Sequence, residues 1–564
     1  MPRQTLADVL ARHAAERPSA VALRFEGREL SYSALARRSE AVAALLRHGW
    51  SVRPGDRVAW LGSNHVEQLV LLFALARIGA MLLPLNVRLA PAEWDTLVAD
   101  CTPRHLVHDE TASGAAQALA ERQGLAAHPV ADLLRAVAEP LSAEGSASVM
   151  PDHGVAAAPV LLVYTSGTTG QPRAAKHTQA NLLANMAIAS EAQQMTPGDV
   201  VLTVLPLFHV GGLCIQTLPA LYAGATVLLH ARFDAGRALA CIAQERPSLT
   251  LQVPATLKAL SEHADWAVTD LRCLRAVWAG SSLLPASLIQ RFHARGIPVC
   301  NVYGATETGP FSIALPPGSA FDHVGSCGWP AAGVEVRLAG KATREGDSGG
   351  QGNDQGDAER MRQGESEGEL LIRGPNVIQW YWPQQPACDE GGWFHTGDLA
   401  VQAADGSYSV VGRARDLIIS GGENIHPAEI EQALAEHPAV AECAAFGLPD
   451  VQWGEAMAVA VVFKPGEVAS DAELHEFLAL RLARYKLPRR WLRLDTLPKT
   501  ALGKVQRQAL AESCRQQSPS FQALSAPVPC AADTEADAVS SLVASHTSSN
   551  TGTPRQAVTR KKLP

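Results

Sequence analysis

The sequence predicts an α/β protein with one large layered domain followed by a smaller second domain. Its 564 residues exceed the size at which a single hydrophobic core stops growing, so two or more domains are expected. Short apolar strands alternate with helical patterns from the N-terminus to about residue 253. Hydrophobic residues make up 47% and charged residues 18% of the chain, which is typical of globular proteins and excludes global disorder.

The elements of the large domain follow from the spacing of its apolar residues. Helical spacing predicts helices over 35–49, 66–78 and a stretch beginning near Asn181. Short apolar runs predict strands, listed here in chain order: 57–61, 80–84, 158–164, 199–205, 226–229 and 249–253. Strands that alternate with helices in this way build βαβ units and buried sheets.

Composition marks the boundaries of the second domain. Residues 340–368 contain no Leu, Ile, Val or aromatic side chain, which predicts a flexible surface insertion that adds nothing to a core. A smaller βα pattern then runs to about residue 510. From 513 to 564 the chain is rich in Ser, Thr, Ala, Pro and Gln without periodicity, which predicts a disordered tail.

Charge and cysteine content exclude several classes of function. A net charge of −8 gives no electrostatic footprint for nucleic acid, so a small-molecule partner is expected. The ten cysteines form no CxxC pair, which argues against a zinc site or a disulfide scaffold. No leader is apparent, and the most apolar run, 69–85, is too interrupted for a membrane span, so a cytoplasmic protein is expected. The sequence leaves open whether the chain forms a homodimer.

Residues 164–173, YTSGTTGQPR, have the composition of a phosphate-binding loop. The segment follows an apolar strand and precedes a helical stretch. Gly167 and Gly170 let the backbone approach an anion. Hydroxyl groups that can hydrogen-bond phosphate oxygens come from Thr165, Ser166, Thr168 and Thr169. The Walker pattern is absent, and a plain connecting turn is the alternative interpretation of this loop.

This loop resembles the signature of the adenylate-forming superfamily, which includes acyl-CoA synthetases, luciferases and peptide-synthetase adenylation domains. Four further signatures of that family follow in order, at residues 303–308 (YGATET), 393–398 (WFHTGD), 412–427 (GRARDLIISGGENIHP) and 498–504 (PKTALGK). The resemblance covers nearly all of residues 5–510 apart from the insertion. It places the chain with the carboxylic acid:CoA ligases.

The resemblance implies a domain plan. A large multi-sheet AMP-binding domain would occupy residues 1–411, and a small mobile α+β domain would occupy 417–512. Residues 412–416 would form the hinge between them, with Asp416 as the pivot.

The resemblance also assigns nucleotide contacts. Glu307 would bind a Mg²⁺ ion on the ATP phosphates, with Thr165 sharing that ion, and a carboxylate suits this oxygen-seeking cation. Thr306 would contact the α-phosphate. The residues implied to surround the adenine and the ribose are Gly280, Ser281, Tyr303, Gly304, Asp398 and Arg413. A carboxylate such as Asp398 can accept hydrogen bonds from both ribose hydroxyls.

Lys504 is implied as the catalytic lysine of the small domain. Adenylation builds negative charge on the α-phosphate, which an ammonium group can stabilise. The substrate carboxylate is itself the nucleophile, so this step needs no protein base. In the family the small domain then rotates and admits coenzyme A. Residues that stand where related ligases contact CoA are Arg88, Gly422, Trp453, Tyr485 and Arg489.

Two residues of the phosphate loop depart from the family pattern. Arg173 stands where the family more often has Lys, and Ala174 replaces a frequent Gly. The positive charge is kept, but Arg and Lys present it with different geometry. The affinity for nucleotide is the property that this change would affect.

The acyl pocket is expected between segments 206–212, 278–281 and 301–304. Peptide-synthetase domains carry an Asp where His209 stands here, so an α-amino acid substrate is disfavoured. His209 would orient the substrate carboxylate or gate the pocket, or would simply pack in its loop. Gly211, with the glycine after it, leaves room for a long or planar acyl group. Fatty and aryl acids both remain, as do two other functions: transfer of the acyl group to a carrier protein, and a non-catalytic nucleotide-binding module.

Overall fold

The computed structural model describes residues 4–138, 156–165, 172–280, 284–340, 366–420, 423–450, 454–482, 484–500 and 503–516. By its internal contacts the chain divides into a compact unit of residues 1–510 and a second unit of residues 511–564, of which only residues 511–516 are described. Most of the predicted insertion and nearly all of the predicted tail therefore lie outside the described residues.

The larger part of the chain, up to residue 413, contains the first strands. In chain order they are Val21–Phe25 (β1), Arg28–Ser31 (β2), Arg57–Leu61 (β3), Met81–Leu85 (β4), His105–His108 (β5), Ala126–Pro129 (β6), Pro159–Thr165 (β7), Arg173–Thr178 (β8), Val200–Thr203 (β9), Thr226–Leu229 (β10), Leu249–Gln252 (β11), Ala276–Ala279 (β12), Val299–Tyr303 (β13), Ile313–Ala314 (β14), Trp329–Pro330 (β15), Glu335–Ala339 (β16), Ser366–Arg373 (β17), Trp380–Tyr381 (β18), Gln385–Pro386 (β19), Phe394–Gln402 (β20) and Tyr408–Arg413 (β21).

Helices connect these strands. In chain order they are Leu6–Glu16 (α1), Tyr32–Ala44 (α2), Val66–Ile78 (α3), Pro91–Cys101 (α4), Ser113–Gln123 (α5), Val130–Ala138 (α6), Gln179–Ala192 (α7), Val210–Gly212 (α8), Leu218–Ala223 (α9), Ala235–Glu245 (α10), Pro254–Glu262 (α11) and Ala286–His293 (α12). Two π-helical turns, Leu45–Gly49 and Leu213–Thr217, follow α2 and α8.

Three sheets form this part of the molecule. One sheet has the order β15-β14-β13-β12-β11-β9-β10-β1-β2, a second has the order β19-β18-β8-β7-β4-β3-β5-β6, and a third has the order β16-β17-β20-β21. The central strands of the first two are parallel and nearly all buried, as in β4 and β11, because helices cover both faces. The α/β prediction is confirmed.

Helix α3 shows how the sequence specifies the core. Twelve of its thirteen residues are buried, and all but Glu67, Gln68 and Arg77 are apolar, as expected of a helix enclosed by other elements. It ends at Gly79, whose backbone takes a left-handed conformation (φ 72°) that favours glycine. The prediction for 66–78 matches these bounds. The helix predicted from residue 35 begins earlier, at Tyr32, because the Ser31 hydroxyl accepts a hydrogen bond from the backbone N–H of Ala34 and caps it.

The smaller C-terminal part packs a sheet against helices. Its strands are Ile418–Ser420 (β22), Glu423–Ile425 (β23), Val440–Asp450 (β24), Gly454–Phe463 (β25) and Arg490–Arg493 (β26), and its helices are Pro427–Ala435 (α13), Asp471–Ala479 (α14) and Arg507–Gln516 (α15). The sheet order is β23-β22-β25-β24, with β26 beside β25. The tail was expected from residue 513, but α15 continues to Gln516.

The structure also bears on the expected absence of a membrane span. Among the described residues, no helix combines the length and apolar character needed to cross a bilayer.

His177 on β8 gives a prediction about acid stability. Its side chain is fully buried, and burial lowers its pKa to about 4. In the unfolded chain the imidazole takes up a proton near pH 6.5, whereas in the folded chain it stays neutral until about pH 4. The free energy of unfolding therefore falls as the pH drops from 6.5 to 4. When the pH is lowered from about 7 to about 4.5, the free energy of unfolding is expected to fall in both proteins. The fall is expected to be about 2–3 kcal/mol smaller in His177→Leu than in the parent protein.

Urea unfolding at the two pH values measures this difference. The control is His48→Leu, which removes an exposed histidine instead of a buried one. Equal losses of stability in the parent protein and in His177→Leu would contradict the expectation.

Candidate active site

The candidate site lies where the parallel strands of the first sheet end. Strands β9, β12 and β13 run in the same direction, so their carboxyl ends meet at one edge. Ligands of open α/β sheets bind at this edge. The segments that follow these strands begin at Val204, Gly280 and Gly304, and they include three of the predicted contact regions.

Two of the predicted nucleotide glycines are required by backbone packing. A Cβ on Gly304 would lie 1.7 Å from the carbonyl oxygen of Pro310, and a Cβ on Gly280 would lie 2.8 Å from that of Val302. Any larger residue would therefore displace these loops. The structure gives these positions a packing reason in addition to the one that the motif suggested.

Glu307 lies in a 3₁₀ turn formed by Thr306–Thr308 and is only 8% exposed. The Tyr381 hydroxyl donates a hydrogen bond to its Oε1 atom at 2.9 Å, and Thr165 Oγ1 lies 3.5 Å from the same atom. Burial and the neighbouring Glu307 charge raise the pKa of Tyr381, which keeps the phenol a proton donor. Glu307 and Thr165 thus present two oxygens together, which fits a Mg²⁺ ion that takes its other ligands from phosphates and water.

The loop that holds Glu307 is braced by two buried asparagines. Asn376 Nδ2 donates hydrogen bonds to the carbonyl oxygens of Thr308 and Phe311. Asn185 Oδ1 accepts a hydrogen bond from the backbone N–H of Phe311 at 3.1 Å. The position of the carboxylate is therefore fixed by segments far away in the sequence.

Asp398, Arg413 and Tyr303, three of the predicted nucleotide contacts, meet in one cluster. Asp398 and Arg413 are paired across β20 and β21, and Arg413 Nε lies 2.6 Å from Asp398 Oδ1. The Tyr303 hydroxyl donates a hydrogen bond to the other carboxylate oxygen at 2.6 Å. Burial raises the pKa of Tyr303, and the Asp398 charge raises it further. The carboxylate is thus held in place with a positive charge beside it.

Lys504 and His209 come from different domains and lie close enough for their charges to interact. Desolvation, with the positive charge of Lys504 as a second cause, lowers the pKa of His209 to about 4. Lys504 itself is exposed, and it follows Gly503, whose φ of 81° favours glycine. The charge of the predicted catalytic lysine therefore influences the predicted acyl loop.

A hydrogen bond fixes the tautomer of His209. Its Nδ1 atom accepts a hydrogen bond from the backbone N–H of Gly211 at 3.1 Å, so the neutral ring carries its proton on Nε2. With a pKa near 4, the ring is neutral at physiological pH. It can therefore donate a hydrogen bond, but it brings no charge to the site.

The predicted hinge residue is tied to the small domain. Arg507 Nη1 lies 3.3 Å from Asp416 Oδ2, and its Nη2 contacts both carboxylate oxygens of Glu431 at 2.8 Å. Asp416 ends a 3₁₀ turn that directly follows β21.

Several predicted residues lie outside the described residues. They are Ser166, Gly167, Thr168, Thr169 and Gly170 of the phosphate loop, together with Ser281, Gly422 and Trp453. The residues that flank the phosphate loop are described: Thr165 and Arg173 are paired across β7 and β8. Arg173, which replaces the usual Lys, lies over the ring of Tyr381 at 5.7 Å.

The predicted CoA contacts are only partly visible. Arg88 is exposed on the large domain, and Tyr485 and Arg489 are exposed on the small domain. Their role stays a prediction.

The sequence reasoning missed Tyr381, Asn376 and Asn185. Tyr381 lies in the aromatic run Trp380–Trp382, which belongs to none of the sequence motifs. Its position could have been suspected, because β18 pairs with β8, the strand that leaves the phosphate loop. That pairing, however, is visible only in the fold.

Comparisons with known proteins cover most of the chain. The model of the AMP-binding enzyme family matches residues 10–382, and the model of the AMP-binding enzyme C-terminal domain matches residues 429–504. An indoleacetate–CoA ligase of Aromatoleum aromaticum is 40% identical over 514 residues, covering 89% of this chain and 96% of the relative. A feruloyl-CoA synthase of an Amycolatopsis species is 38% identical over 509 residues, covering 90% and 98%.

A solved structure is similar along the same length. The o-succinylbenzoate CoA synthetase of Bacillus subtilis, in complex with its acyl-adenylate intermediate, aligns with a TM-score of 0.77 and 29% identity, covering 90% of this chain and 98% of that one. The chain therefore belongs to the AMP-binding enzyme family.

Proposed function

We propose that this enzyme joins an aromatic carboxylic acid to coenzyme A. The chain is an AMP-forming acid–CoA ligase: it activates its acid with ATP to an acyl-adenylate, releases pyrophosphate, and transfers the acyl group to CoA with release of AMP. The observation that carries this function is that Glu307 and the Asp398–Arg413 pair both adjoin the end of β13, Asp398 through its hydrogen bond from Tyr303. Each role that the two half-reactions require is filled by a suitable side chain.

In the first half-reaction a carboxylate oxygen attacks the α-phosphorus of ATP. The new bond is a P–O bond to the acid, and the bond to the bridging oxygen of pyrophosphate breaks. Negative charge builds on the α-phosphate oxygens, and the Lys504 ammonium stabilises it. Thr306, beside Glu307, donates to the same phosphate. Mg²⁺, when bound at Glu307 and Thr165, supplies positive charge to the phosphates of ATP. The B. subtilis relative was solved with ATP and a magnesium ion.

Asp398 holds the ribose in this arrangement. Its two oxygens are each engaged, one by Arg413 and one by Tyr303, so the carboxylate cannot rotate. A carboxylate oxygen can accept more than one hydrogen bond, as a contact with a ribose hydroxyl requires. The nucleotide is thus oriented before the acid attacks, which lowers the entropic part of the barrier.

His209 orients the acid. Its neutral ring has a donor at Nε2, which can hydrogen-bond one carboxylate oxygen and leave the other free to attack. A charged imidazole would pair with the carboxylate and weaken it as a nucleophile. The low pKa of His209 therefore suits the reaction.

In the second half-reaction the thiol sulfur of CoA attacks the carbonyl carbon of the acyl-adenylate. A C–S bond forms, the bond to the phosphate oxygen breaks, and AMP leaves with the electron pair while the thiol proton goes to solvent. The Asp416 hinge supports a rotation of the small domain between the two steps. The residue ranges proposed for the two domains and the hinge remain 1–411, 417–512 and 412–416.

The aromatic acid is supported by the relatives and by the acyl loop. Indoleacetate and ferulate, named in two relatives, both carry a planar ring. Gly211, two residues after His209, has no side chain that would take up space beside such a ring. The expectation that Gly212 also leaves room is wrong, because a Cβ there would lie 2.2 Å from the carbonyl oxygen of Pro206. A fatty acid is the second candidate, since a long-chain-fatty-acid–CoA ligase of Mycobacterium tuberculosis is 31% identical.

The test is pyrophosphate release with ATP and Mg²⁺ over arylacetic, arylacrylic, benzoic and fatty acids, each with and without CoA. Efficient formation of aryl-CoA is the expected result. Preference for a fatty acid would overturn the aromatic assignment. Pyrophosphate release without thioester would favour a carrier-protein acceptor, as in a Streptomyces coeruleorubidus relative named as a fatty acid–[acyl-carrier-protein] ligase.

A cytoplasmic location and assembly as a homodimer stay predictions.

A further inference from the structure

Asn64 is a buried asparagine near the carboxyl end of β3, and its side chain contacts the acyl loop that holds His209. It is 4% exposed and belongs to none of the sequence motifs. Strand β3 lies in the second sheet, whereas the acyl loop follows β9 in the first sheet. Asn64 therefore joins the acyl loop to a segment that lies 141 residues earlier in the chain.

The side-chain amide of Asn64 makes three hydrogen bonds to backbone groups. Its Nδ2 atom donates to the carbonyl oxygens of Leu205 and His230, each at 3.0 Å. Its Oδ1 atom accepts from the backbone N–H of Leu207 at 2.8 Å. A carbonyl oxygen can only accept and a backbone N–H can only donate, so these partners assign the amide nitrogen and oxygen without ambiguity.

The segment that carries Asn64 is itself held on both sides. The backbone N–H of Asn64 donates a hydrogen bond to the carbonyl oxygen of Ala231 at 3.1 Å. The neighbouring N–H, that of Ser63, donates to Asp109 Oδ2 at 2.8 Å, and the other oxygen of Asp109 accepts from the Thr111 hydroxyl. Asn64 therefore offers the acyl loop a fixed point of attachment.

The contacts of Asn64 reach His209 through a short stretch of backbone. The N–H of His209 donates to the carbonyl oxygen of Pro206 at 3.3 Å, which closes a turn around Leu207. A Cβ on Gly212 would lie 2.2 Å from that oxygen and 2.7 Å from the carbonyl oxygen of Leu205, so both carbonyls pack directly against α8. A shift of Leu205 or Leu207 would therefore displace His209.

A different asparagine holds the nucleotide side of the site. Asn376 donates to the carbonyl oxygens of Thr308 and Phe311 and so braces the loop of Glu307. The three hydrogen bonds of the Asn64 side chain end instead on residues 205, 207 and 230. The two asparagines thus support two separate loops, which makes their effects on catalysis separable.

We propose that Asn64 is a positioning residue for the acid: it holds the acyl loop so that His209 Nε2 meets the substrate carboxylate. This inference rests on the proposed function and deepens it. Without the amide, two buried carbonyl oxygens and one buried N–H lose their partners, which is costly unless the loop moves to reach water. Such a movement takes the His209 donor away from the acid and leaves the nucleotide contacts in place.

The test is a double-mutant cycle between Asn64→Leu and His209→Ala in the full-length enzyme. The measured quantity is kcat/KM for the preferred aromatic acid at saturating ATP, Mg²⁺ and CoA. Asn64→Leu alone is expected to lower it about tenfold, the size of one hydrogen bond to a charged group. In the His209→Ala background the same substitution should lower it less than about twofold, because the contact that Asn64 positions is already lost.

Asn376→Leu is the matched control. It also removes a buried amide that braces a loop of the site, but this loop holds Glu307 and not His209. Its loss of kcat/KM should therefore be the same with and without His209, as expected for independent sites. The KM for ATP should rise in Asn376→Leu and stay unchanged in Asn64→Leu.

Asn64→Ser is a milder second variant, whose short side chain leaves room for a water molecule at the three backbone groups. Circular dichroism and thermal melting show whether each variant is folded, and Asn64→Ser completes the cycle if Asn64→Leu does not fold. Its loss is expected to be smaller and to depend on His209 in the same way.

Two results would overturn the inference and leave the ligase activity standing. One is an equal loss of kcat/KM from the Asn64 substitutions in both backgrounds, which indicates a merely structural role. The other is a His209→Ala enzyme with parental kinetics for the acid, since no contact would then need positioning. A parent enzyme that forms no aryl-CoA would overturn the proposed function itself.

Discussion

Replacing Lys504 with alanine is expected to lower the rate of acyl-adenylate formation by about a hundredfold to a thousandfold, the usual cost of losing one preorganised charge donor. The positive charge of Lys504 lowers the pKa of His209, so this charge acts on the loop where the acid is proposed to bind. Trapping the adenylate with hydroxylamine measures this step directly. The thioester step, started from supplied acyl-adenylate, should be affected far less, since in that step the thiol attacks the acyl carbonyl carbon and the α-phosphorus is not the reacting centre.

Lys499→Ala provides the matched control for this experiment. Lys499 belongs to the same short segment as Lys504, but its ammonium is paired with Glu442 at 2.7 Å. A general loss of positive charge or of local structure would affect both variants. Equal rates of adenylation in the two variants would remove Lys504 from the catalytic step.

Glu307→Gln is expected to raise the Mg²⁺ concentration needed for half-maximal activity and to lower kcat by about a hundredfold. The substitution keeps the shape and can still accept the Tyr381 hydrogen bond, but it removes the negative charge that attracts the cation. The experiment therefore measures the effect of removing the charge, because the substitution leaves no cavity. Initial rates over a magnesium titration at saturating ATP give both quantities.

Tyr381→Phe separates charge from orientation at the same carboxylate. Removing the hydroxyl leaves Glu307 charged but without its 2.9 Å donor, so a loss of only about tenfold is expected, the size of one hydrogen bond to a charged group. If Glu307→Gln has no larger effect than Tyr381→Phe, and its magnesium dependence is unchanged, then Glu307 does not bind the metal.

The fold was largely predictable because its signals are local. The helix over 66–78 and the strand over 57–61 match the structure, since each shows a continuous apolar pattern ended by Gly or a charged residue. Element ends were less predictable. The strand expected over 199–205 covers only Val200–Thr203, because the residues that follow turn into the acyl loop.

The sequence by itself determined the family, the reaction class and the identity of the candidate residues. Glu307, Asp398, Arg413 and Lys504 each stand in a short contiguous motif, and such motifs can be read without knowing the fold. The chemistry of a carboxylate, a guanidinium or an ammonium follows from the residue type alone. This explains why these candidates could be named before any geometry was known.

Only the tertiary structure decided which groups hold those residues in place and which hydrogen bonds are left over. Tyr381 reaches Glu307 across 74 residues, and Arg507 reaches Asp416 across 91. The buried Gln216 amide donates a hydrogen bond to Gln193, which lies 23 residues earlier, just after the end of α7. These contacts depend on how sheets and helices pack together, and sequence spacing carries no record of distances between elements that are far apart in the chain.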